Sequence, residues 1–590
     1  MIESLRKAQQ QALLTMLNLN QEPEDDAQVG WKVLVYDKQG QDVISPTLRL
    51  GDLRGAGITV HMALLSDRQP IPDVPAVYFI QPTIENIQIL SEDLKKQLYS
   101  SVYVNFSSAL PRSLLEEFAS LTVQTNSASL VSQVYDQYLN YICLESNLFS
   151  LEKSQTYKVL NDPTTPDIVI EQLVDDIAMG LFSVIVTLGT VPIIKCQKGN
   201  VAEAVAKKLD SKLRDNIINS RANLFAEKMH LTRPVLILLD RSLDLASMLT
   251  HSWTYSTLFH DILEMKLNRV NVTADENGRK SVKNYDIDVT DTFWEKNASC
   301  PLPEVGMYID TETKSYQAQV NSVGAADSQD PNDLNLSTQQ LSSTIAQIPE
   351  LRMKKKILDM HTVIATSLLN SIVQRQLDSF ISMEESINKL TPNAILELIS
   401  DQQKNIEDKL RLFLIYFLSV ENVSKEDVTK IQNAFAELGC DVGAIEHVKH
   451  VRMYSKMTAS QVANPQLQKD NSSNDLLGSF TSNFSRLTGT LQSAGIGEGF
   501  GNLISGVKNM LPSRKELTVT KIVDSVMEGT ASSSTEDLQT FDPKSPRQQQ
   551  SQQGAKKTTF SDAIVFVIGG GNYQEYHNLM DYAQVYFISY

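Results

Sequence analysis

Short apolar runs alternate with amphipathic stretches along the first 145 residues. WKVLVYD (31–37), ITVHMALL (58–65), AVYFIQP (76–82) and SVYVNFSS (101–108) are rich in β-branched and aromatic residues and predict strands. Between and after them, TIENIQILSEDLKKQLY and RSLLEEFASL carry apolar residues at helical spacing. Such an alternation predicts a parallel sheet covered on both faces. SLVSQVYDQYL reads as a further helix, with Val131 and Val134 on one side. MIESLRKAQQQALLTMLNLN predicts an amphipathic N-terminal helix, because its apolar residues are spaced and form no continuous core as a signal peptide would.

A second α/β unit follows. DIAMGLFSVIVTLGTVPIIKC runs from a buried helix to a loop at Pro192, NVAEAVAKKLDSKLRDNIINSRANLF is a long helix, and RPVLILLD is a buried strand. Strand patterning then fades and returns only in DAIVFVIGGGNYQEYHNLMDYAQVYFI (562–588). This predicts one sheet begun before residue 260 and completed by the C-terminal part, with a helical insertion between. Within the insertion, 313–335 reads as flexible. The next 45 residues read as a helix broken at Pro349 and a second long helix, and 384–450 hold further helices. Two polar stretches, 455–490 and 529–558, lack the apolar content to offset chain entropy and read as linkers, the second as disordered.

At 590 residues the chain is long enough for about three or four domains, and 42% hydrophobic residues supply sizeable cores. The net charge of −17, from 53 Lys and Arg against 70 Asp and Glu, disfavours nucleic acid as a partner. Cys143, Cys196, Cys300 and Cys440 are widely spaced, which predicts reduced thiols rather than a disulfide frame or a zinc knuckle. No run of about 18 apolar residues is present, so no membrane-spanning helix is expected.

The chemical signals are sparse. GxxxxGK[ST], GxSxG and HExxH are all missing. GIGEGFGNL (495–503) has the wrong spacing for a dinucleotide loop. VIGGGNYQEYHNL (567–579) does link a strand to a helix. Three amides at Gly569–Gly571 can cradle an anion, which keeps a nucleotide-binding protein or an α/β enzyme as the alternative function. No neighbouring Lys or Arg completes such a site, and a tight turn needing positive φ is the plainer reading.

DRSLDLASMLTHSWTYSTLFHD (240–261) concentrates Asp240, Arg241, Asp244, His251, His260 and Asp261 behind a strand. A catalytic reading takes His251 or His260 as base and Asp240 or Asp244 as its orienting carboxylate. The residues favour a structural network of Asp240, Arg241, Asp244, His251 and Tyr255. The two carboxylates flank Arg241, Tyr255 can bond either of them, and no nucleophile accompanies the group. Catalysis and metal binding remain open on residues alone.

That stretch, extended to PVLILLDRSLDLASMLTHSWTYSTLFHDIL…LNRVNV, resembles the Sec/Munc (SM) family of SNARE regulators. VNFSSALPRSLLEEF, VYDQYLNYICLES, VTLGTVPIIKCQKGNVAEAVAKKLDSKLRDN and DAIVFVIGGGNYQEYHNLMDY agree with it. IPELRMKKKILDMHTVIATSLLNSI and DKLRLFLIYFLS are similar to the Sly subgroup, which acts between endoplasmic reticulum and Golgi. The similarity is collinear over almost the whole chain, although family members continue past NLMDYAQ with a strand and helix where this chain ends in VYFISY.

The resemblance implies an α/β plus α fold. It would be an arch of three domains, with two parallel-sheet α/β domains and a largely helical inserted domain. The corresponding boundaries are 1–145 for domain 1, 146–260 for the first part of domain 2, 261–390 and 391–513 for the two parts of domain 3, and 514–590 for the return to domain 2. It implies a non-enzymatic SNARE chaperone without cofactor or metal, working in vesicle docking and fusion. The implied partners are a syntaxin-type Qa-SNARE, bound through its N-terminal peptide and helical bundle, other SNAREs and the assembled SNARE complex. Tethering factors are further candidates, and a tethering-complex subunit that does not bind syntaxin is a third reading. The implied place is the cytoplasm, peripheral on ER and Golgi membranes and transport vesicles through SNAREs.

Residue by residue, the subgroup's peptide pocket falls on Leu110, Leu114, Leu115, Phe118, Val131, Val134 and Asp136. The apolar members would line a groove, and Asp136 would pair with a peptide Arg at its rim. The family's SNARE-helix surface falls on Leu351, Leu358, Ile364, Leu368 and Ile372, with a hinge at Pro349 and a covering loop at 321–335. RMKKK (352–356) reads as a solvated basic face. The Asp–Arg–His stretch corresponds to the family's hinge between domains 2 and 3, which answers for scaffolding rather than chemistry.

Overall fold

The structure, a computed structural model, describes residues 4–21, 30–219, 224–225, 233–276, 279–287, 291–325, 334–401, 404–420, 422–461, 516–529, 538–545 and 559–588. The chain divides into two compact units. Unit 1 holds Met1–Leu243, Leu517–Gly571 and Tyr582–Tyr590, and unit 2 holds Asp244–Glu516 and Asn572–Asp581.

Unit 1 is built on two large sheets, with a small antiparallel pair of Ile142–Glu145 and Leu148–Ser150 besides. The first has five strands, β1 (Lys32–Tyr36), β2 (Ile58–Ala63), β3 (Ala76–Ile80), β4 (Val102–Phe106) and β5 (Val131–Asp136), in the order β2-β1-β3-β4-β5. All four pairings are parallel. Alternate residues of the central strands, among them Val33, Val35, Tyr78, Ile80, Val102, Val104 and Phe106, form one buried face. Helix α2 (Ile84–Lys95) covers it with Ile87, Leu90 and Leu94, one stripe of the helix. Its first turn is fixed by Thr83, whose Oγ1 accepts a hydrogen bond from the Asn86 amide at 3.3 Å. Helix α3 (Arg112–Gln124) starts after Pro111 and inserts Phe118 into the same core. The N-terminal helix, α1 (Leu5–Leu17), is present with a buried stripe of Leu5, Ala8, Leu13, Met16 and Leu17.

The second sheet contains β6 (Ile193–Gln197), β7 (Val235–Asp240), β8 (Leu538–Phe541) and β9 (Ala563–Ile568), ordered β8-β6-β7-β9. The returning strand β9 lies parallel to β7, from Ala563 opposite Val235 to Ile568 opposite Asp240. Two strands more than 300 residues apart in sequence thus share one buried layer, as the apolar runs predict. Strand β8 lies in the stretch expected to be disordered. It pairs antiparallel with β6 and is tied down by distant arginines. Arg214 reaches the carbonyl oxygens of Asp542 and Ser545, and Arg233 Nη2 meets Asp542 Oδ1 at 2.8 Å. Those contacts join the pairing with β6 and the burial of Phe541 in holding 538–545. The rest of the stretch, 530–537 and 546–558, lies outside the described residues, as does most of the 455–490 linker.

The glycine turn after β9 is a packing device. Gly569 and Gly570 adopt φ of +100° and +105°, and a Cβ on Gly569 would stand 2.8 Å from Arg241 Cβ. Arg241 is buried, and its Nη1 donates to the Gly570 carbonyl at 3.3 Å. The arginine that the local sequence lacks is therefore supplied from β7's end, and it braces the turn. Gly569→Ala is expected to cost unit 1 about 2–3 kcal/mol in chemical denaturation, from backbone strain and the clash together. A loss below about 0.5 kcal/mol would contradict this role.

Unit 2 is mainly helical. It contains α4 (Tyr255–Leu263), a hairpin of Arg269–Glu276 and Arg279–Asp286, α5 (Leu302–Ala325), α6 (Leu334–Arg375), α7 (Leu377–Glu385) and α8 (Ile406–Ser419). Two expectations change here. Residues 313–325 belong to α5, a helix that contacts α6, with Lys354 Nζ meeting Glu312 Oε2 at 2.8 Å just before that range. The polar composition read as flexible is that of a helix whose side chains from 313 to 321 are exposed or half-buried. Helix α6 also passes through Pro349 without a break in its assignment. Pro349 and its neighbours Ile348 and Glu350 are exposed, so water can satisfy the carbonyl that loses its partner. Of the expected covering loop 321–335, residues 326–333 lie outside the described residues.

Candidate functional site

The candidate peptide groove lies in unit 1, between α3 and the edge strand β5. Residues 131–136, expected to be helical, are this strand. The strand still presents Val131 and Val134 on one side, because a register shift leaves Ser132 unpaired: Val102 faces Val131, while Tyr103 faces Gln133. Val134 then aligns with Val104, and Asp136 with Phe106. Registered neighbours in a parallel sheet project from the same face, so Val131, Val134 and Asp136 emerge on the face that α3 covers over β4.

The seven expected residues separate by burial. Phe118, 4% exposed, is core, and Leu110, Leu114 and Val131 are partly buried against that core. Leu115 and Val134 are open to solvent, 44% and 38% exposed. Asp136 Oδ1 accepts a hydrogen bond from the Leu110 amide at 3.1 Å, which ties the start of α3 to the end of β5. Its other oxygen makes no hydrogen bond among the described residues. The arrangement offers an apolar strip with a carboxylate at one end, backed by a rigid core. Val123 and Tyr135 are also exposed in these two elements, but Tyr135, registered with Asn105, projects from the opposite face of the sheet.

The second expected surface is corrected. Leu358, Ile364, Leu368 and Ile372 are buried and Leu351 is half-buried, so this stripe is the core side of α6. Helix α6 packs against α4, α5, α7 and the hairpin. Among the described residues, the large exposed apolar side chains of α5 and α6 are Tyr308, Val320, Ile348 and Met353. Arg352, Lys355 and Lys356 are exposed, as a solvated basic face requires.

The 240–261 stretch does not converge on one point. The chain passes from unit 1 to unit 2 between Leu243 and Asp244. In unit 1, Asp240 accepts hydrogen bonds from the Ser242 amide at 2.8 Å and from its hydroxyl, while Arg241 braces the glycine turn. In unit 2, Asp244 accepts from the Ser247 amide at 3.1 Å and hydroxyl at 2.7 Å.

Tyr255 bonds neither aspartate. Its hydroxyl meets His361 Nδ1 at 2.9 Å, and His361 Nε2 donates to Asp291 Oδ2 at 2.8 Å.

His251 lies between two carboxylates, with Nδ1 2.6 Å from Glu384 Oε1 and Nε2 3.1 Å from Asp408 Oδ1. Both ring nitrogens face acceptors, which selects the imidazolium. Burial opposes that charge, but Asp408 and Glu384 outweigh it and raise the His251 pKa. Burial likewise opposes the charge of Asp408, yet His251 and Arg375, the latter at 2.6 and 3.0 Å, hold its pKa down at about 2. The network ties His251, in a segment between helices, to Glu384 of α7, Asp408 of α8 and Arg375 of α6. Among the described residues no cluster of three or more His, Cys, Asp or Glu is suited to a metal ion, and no helix is long and apolar enough to cross a membrane.

Comparison with known proteins decides the family. The Sec1 family pattern matches residues 32–587. The chain belongs to the Sec1 family. Protein sly1 of Schizosaccharomyces pombe is 44% identical, over 98% of this chain and 94% of that protein. Human Sec1 family domain-containing protein 1 is 40% identical over 98% and 93%. Among solved structures, Sly1p in complex with an N-terminal peptide of Sed5p superposes with a TM-score of 0.79 at 34% identity, covering 99% of this chain and 94% of that one. The SM protein Vps45 in complex with Qa SNARE Tlg2 shares the fold at a TM-score of 0.72 and 18% identity, over 98% and 92%. The α/β plus α architecture found here, two sheets with a helical insertion, is thus that of Sec1 family proteins.

Proposed function

We propose that this Sec1 family protein is a non-catalytic SNARE chaperone that captures the N-terminal peptide of an early-secretory syntaxin in the groove between α3 and β5. The supporting observation is the likeness, at 34% identity over 99% of this chain, to Sly1p bound to an N-terminal peptide of Sed5p, together with solvent-open Leu115 on α3 and solvent-open Val134 on the same face of β5 as Asp136. Burying an aliphatic or aromatic peptide side chain against Leu115 and Val134 supplies the affinity, and Asp136 pairs with a basic residue to fix register. SNARE helices then assemble along α5 and α6, where Tyr308, Val320, Ile348 and Met353 are exposed. The chain's three domains are 1–145, then 146–260 with 514–590, and 261–513. The protein acts in the cytoplasm on ER and Golgi membranes, held there by its SNARE partners. Calorimetric titration with N-terminal peptides of a panel of syntaxins tests it. One early-secretory member is expected to bind one to one at micromolar affinity or tighter, and no binding by any member would remove the proposal.

A further inference from the structure

Helix α6 ends at Arg375 and α7 begins at Leu377, so Gln376 alone joins them. Gln376 adopts φ +54° and ψ +41°. A left-handed residue is an ordinary end to a helix, but here the next residue already starts another. For a residue with a Cβ this conformation is disfavoured about five- to thirtyfold, and it persists where the surroundings hold it.

A charged clamp grips both sides of the joint. Arg375, the last residue of α6, donates to Asp408 of α8 from Nη2 at 2.6 Å and from Nε at 3.0 Å. Glu384, near the end of α7, reaches the same Asp408 through His251. Its Oε2 accepts from the His251 amide at 2.9 Å, its Oε1 lies 2.6 Å from Nδ1, and Nε2 lies 3.1 Å from Asp408 Oδ1. The three side chains that share these contacts, His251, Glu384 and Asp408, are all more than nine-tenths buried. Phe380 of α7 stacks on the His251 ring, with centroids 5.7 Å apart. The other charges facing the clamp are Arg411 of α8 and Asp261 of α4, which pair at 2.9 Å. At the start of α7, Asp378 and Lys404 attract each other, and Lys404 Nζ donates to Ser379 Oγ at 3.0 Å.

We infer that the joint between α6 and α7 is a proton-operated latch. With both ring nitrogens protonated, His251 ties α7 to Asp408 and the bend at Gln376 is held. Once a proton leaves, the imidazole has one N–H for two buried carboxylates, and α7 opens from α8 more often. Leu377, Phe380 and Ile381 are also buried, so the opening is a local event rather than unfolding. Asp408 and Glu384 raise the His251 pKa against the effect of burial. The latch therefore closes as pH falls and opens as pH rises through that raised value. It needs neither the groove at α3 and β5 nor a ligand, so each can fail alone.

Hydrogen–deuterium exchange of the full chain at about pH 6 and about pH 8.5, on either side of an ordinary histidine pKa and corrected for the intrinsic rate at each, tests the latch. Protection of 377–386 is expected to fall at least tenfold between the two, while that of α2 in unit 1 stays nearly constant. His251→Gln has no ring to titrate and should give low protection there at both pH values. Gln376→Gly removes the cost of the bend and should raise protection of 377–386 about fivefold at the higher pH. Equal wild-type protection at both pH values would overturn the inference, as would no gain from Gln376→Gly. So would a His251→Gln protein that keeps the wild-type drop, which would move the effect to Asp378 or Lys404. Should His251→Gln fail to fold, the wild-type pair and Gln376→Gly decide.

Discussion

Leu115→Arg leaves the protein folded and removes syntaxin-peptide binding. Leu115 is 44% exposed on α3, so an arginine there keeps its charge in water and changes stability by about 0.5 kcal/mol or less. In the bound state the same side chain meets an apolar peptide group and must be desolvated without a partner. The expected loss is about 2 kcal/mol or more, on the order of thirtyfold in affinity. Phe118 is the wrong residue for this test. It is part of the sheet's core, and Phe118→Ala would cost about 3–5 kcal/mol of stability and confuse folding with binding. Calorimetry with the bound peptide, alongside thermal melting, separates the two. Unchanged affinity in a folded Leu115→Arg protein would remove the groove from the account.

The largest stability effect is expected at Asp408. Its carboxylate is fully buried and accepts from His251 and Arg375. Asp408→Asn leaves two cations facing a neutral amide, and breaking a buried pair in this way costs about 3–5 kcal/mol. Trp253 and Trp294 are buried in unit 2, and their emission should report denaturation at correspondingly lower urea. Asp261→Asn is the control. That carboxylate pairs with Arg411 at 2.9 Å but is partly open to water, so about 1 kcal/mol is expected.

The pH dependence has two signs. The stabilisation from Asp408, whose pKa is lowered, is present above its ordinary range near 3.9 and is lost as pH falls toward about 2. That from His251, whose pKa is raised, is complete below about 6.5 and is lost as pH rises through the raised value. The network's contribution should therefore be greatest between about pH 4 and 6.5 and should flatten in Asp408→Asn. A stability change below about 1 kcal/mol in that variant would contradict the role given to the pair.

What the sequence makes legible is what short-range pattern encodes. The runs around Val33, Val77, Val104 and Leu238 are continuous and apolar because both faces of their strands are covered, and each is a strand. The return at 563–568 is readable for the same reason. Val131 to Asp136 misled because an edge strand has only part of one face buried, and its register shift puts Val131 and Val134 on one side as a helix would. The compensating clue lies in topology: α3 follows a parallel strand and calls for another after it. Strand β8 is illegible locally, since Arg214 and Arg233 hold it from far away. The same limit applies to His251. Its partners Glu384 and Asp408 lie 133 and 157 residues further on, so no reading of 240–261 alone can pair them.

The resemblance marks the α3 and β5 segments as a site, whereas the burial of their side chains identifies the members able to meet a ligand. Only Leu115 and Val134 of the six apolar candidates present large exposed surface. For α6 the same criterion reverses the expectation. A stripe at helical spacing faces a core unless other apolar residues fill that core, and Leu358, Ile364, Leu368 and Ile372 fill it themselves.

Hydrogen–deuterium exchange of the full chain, with and without the tightest-binding syntaxin N-terminal peptide, tests the central claim most directly. The account predicts slowed exchange concentrated in residues 108–136, across α3 and the outer edge of β5. Protection elsewhere with 108–136 unchanged would contradict it.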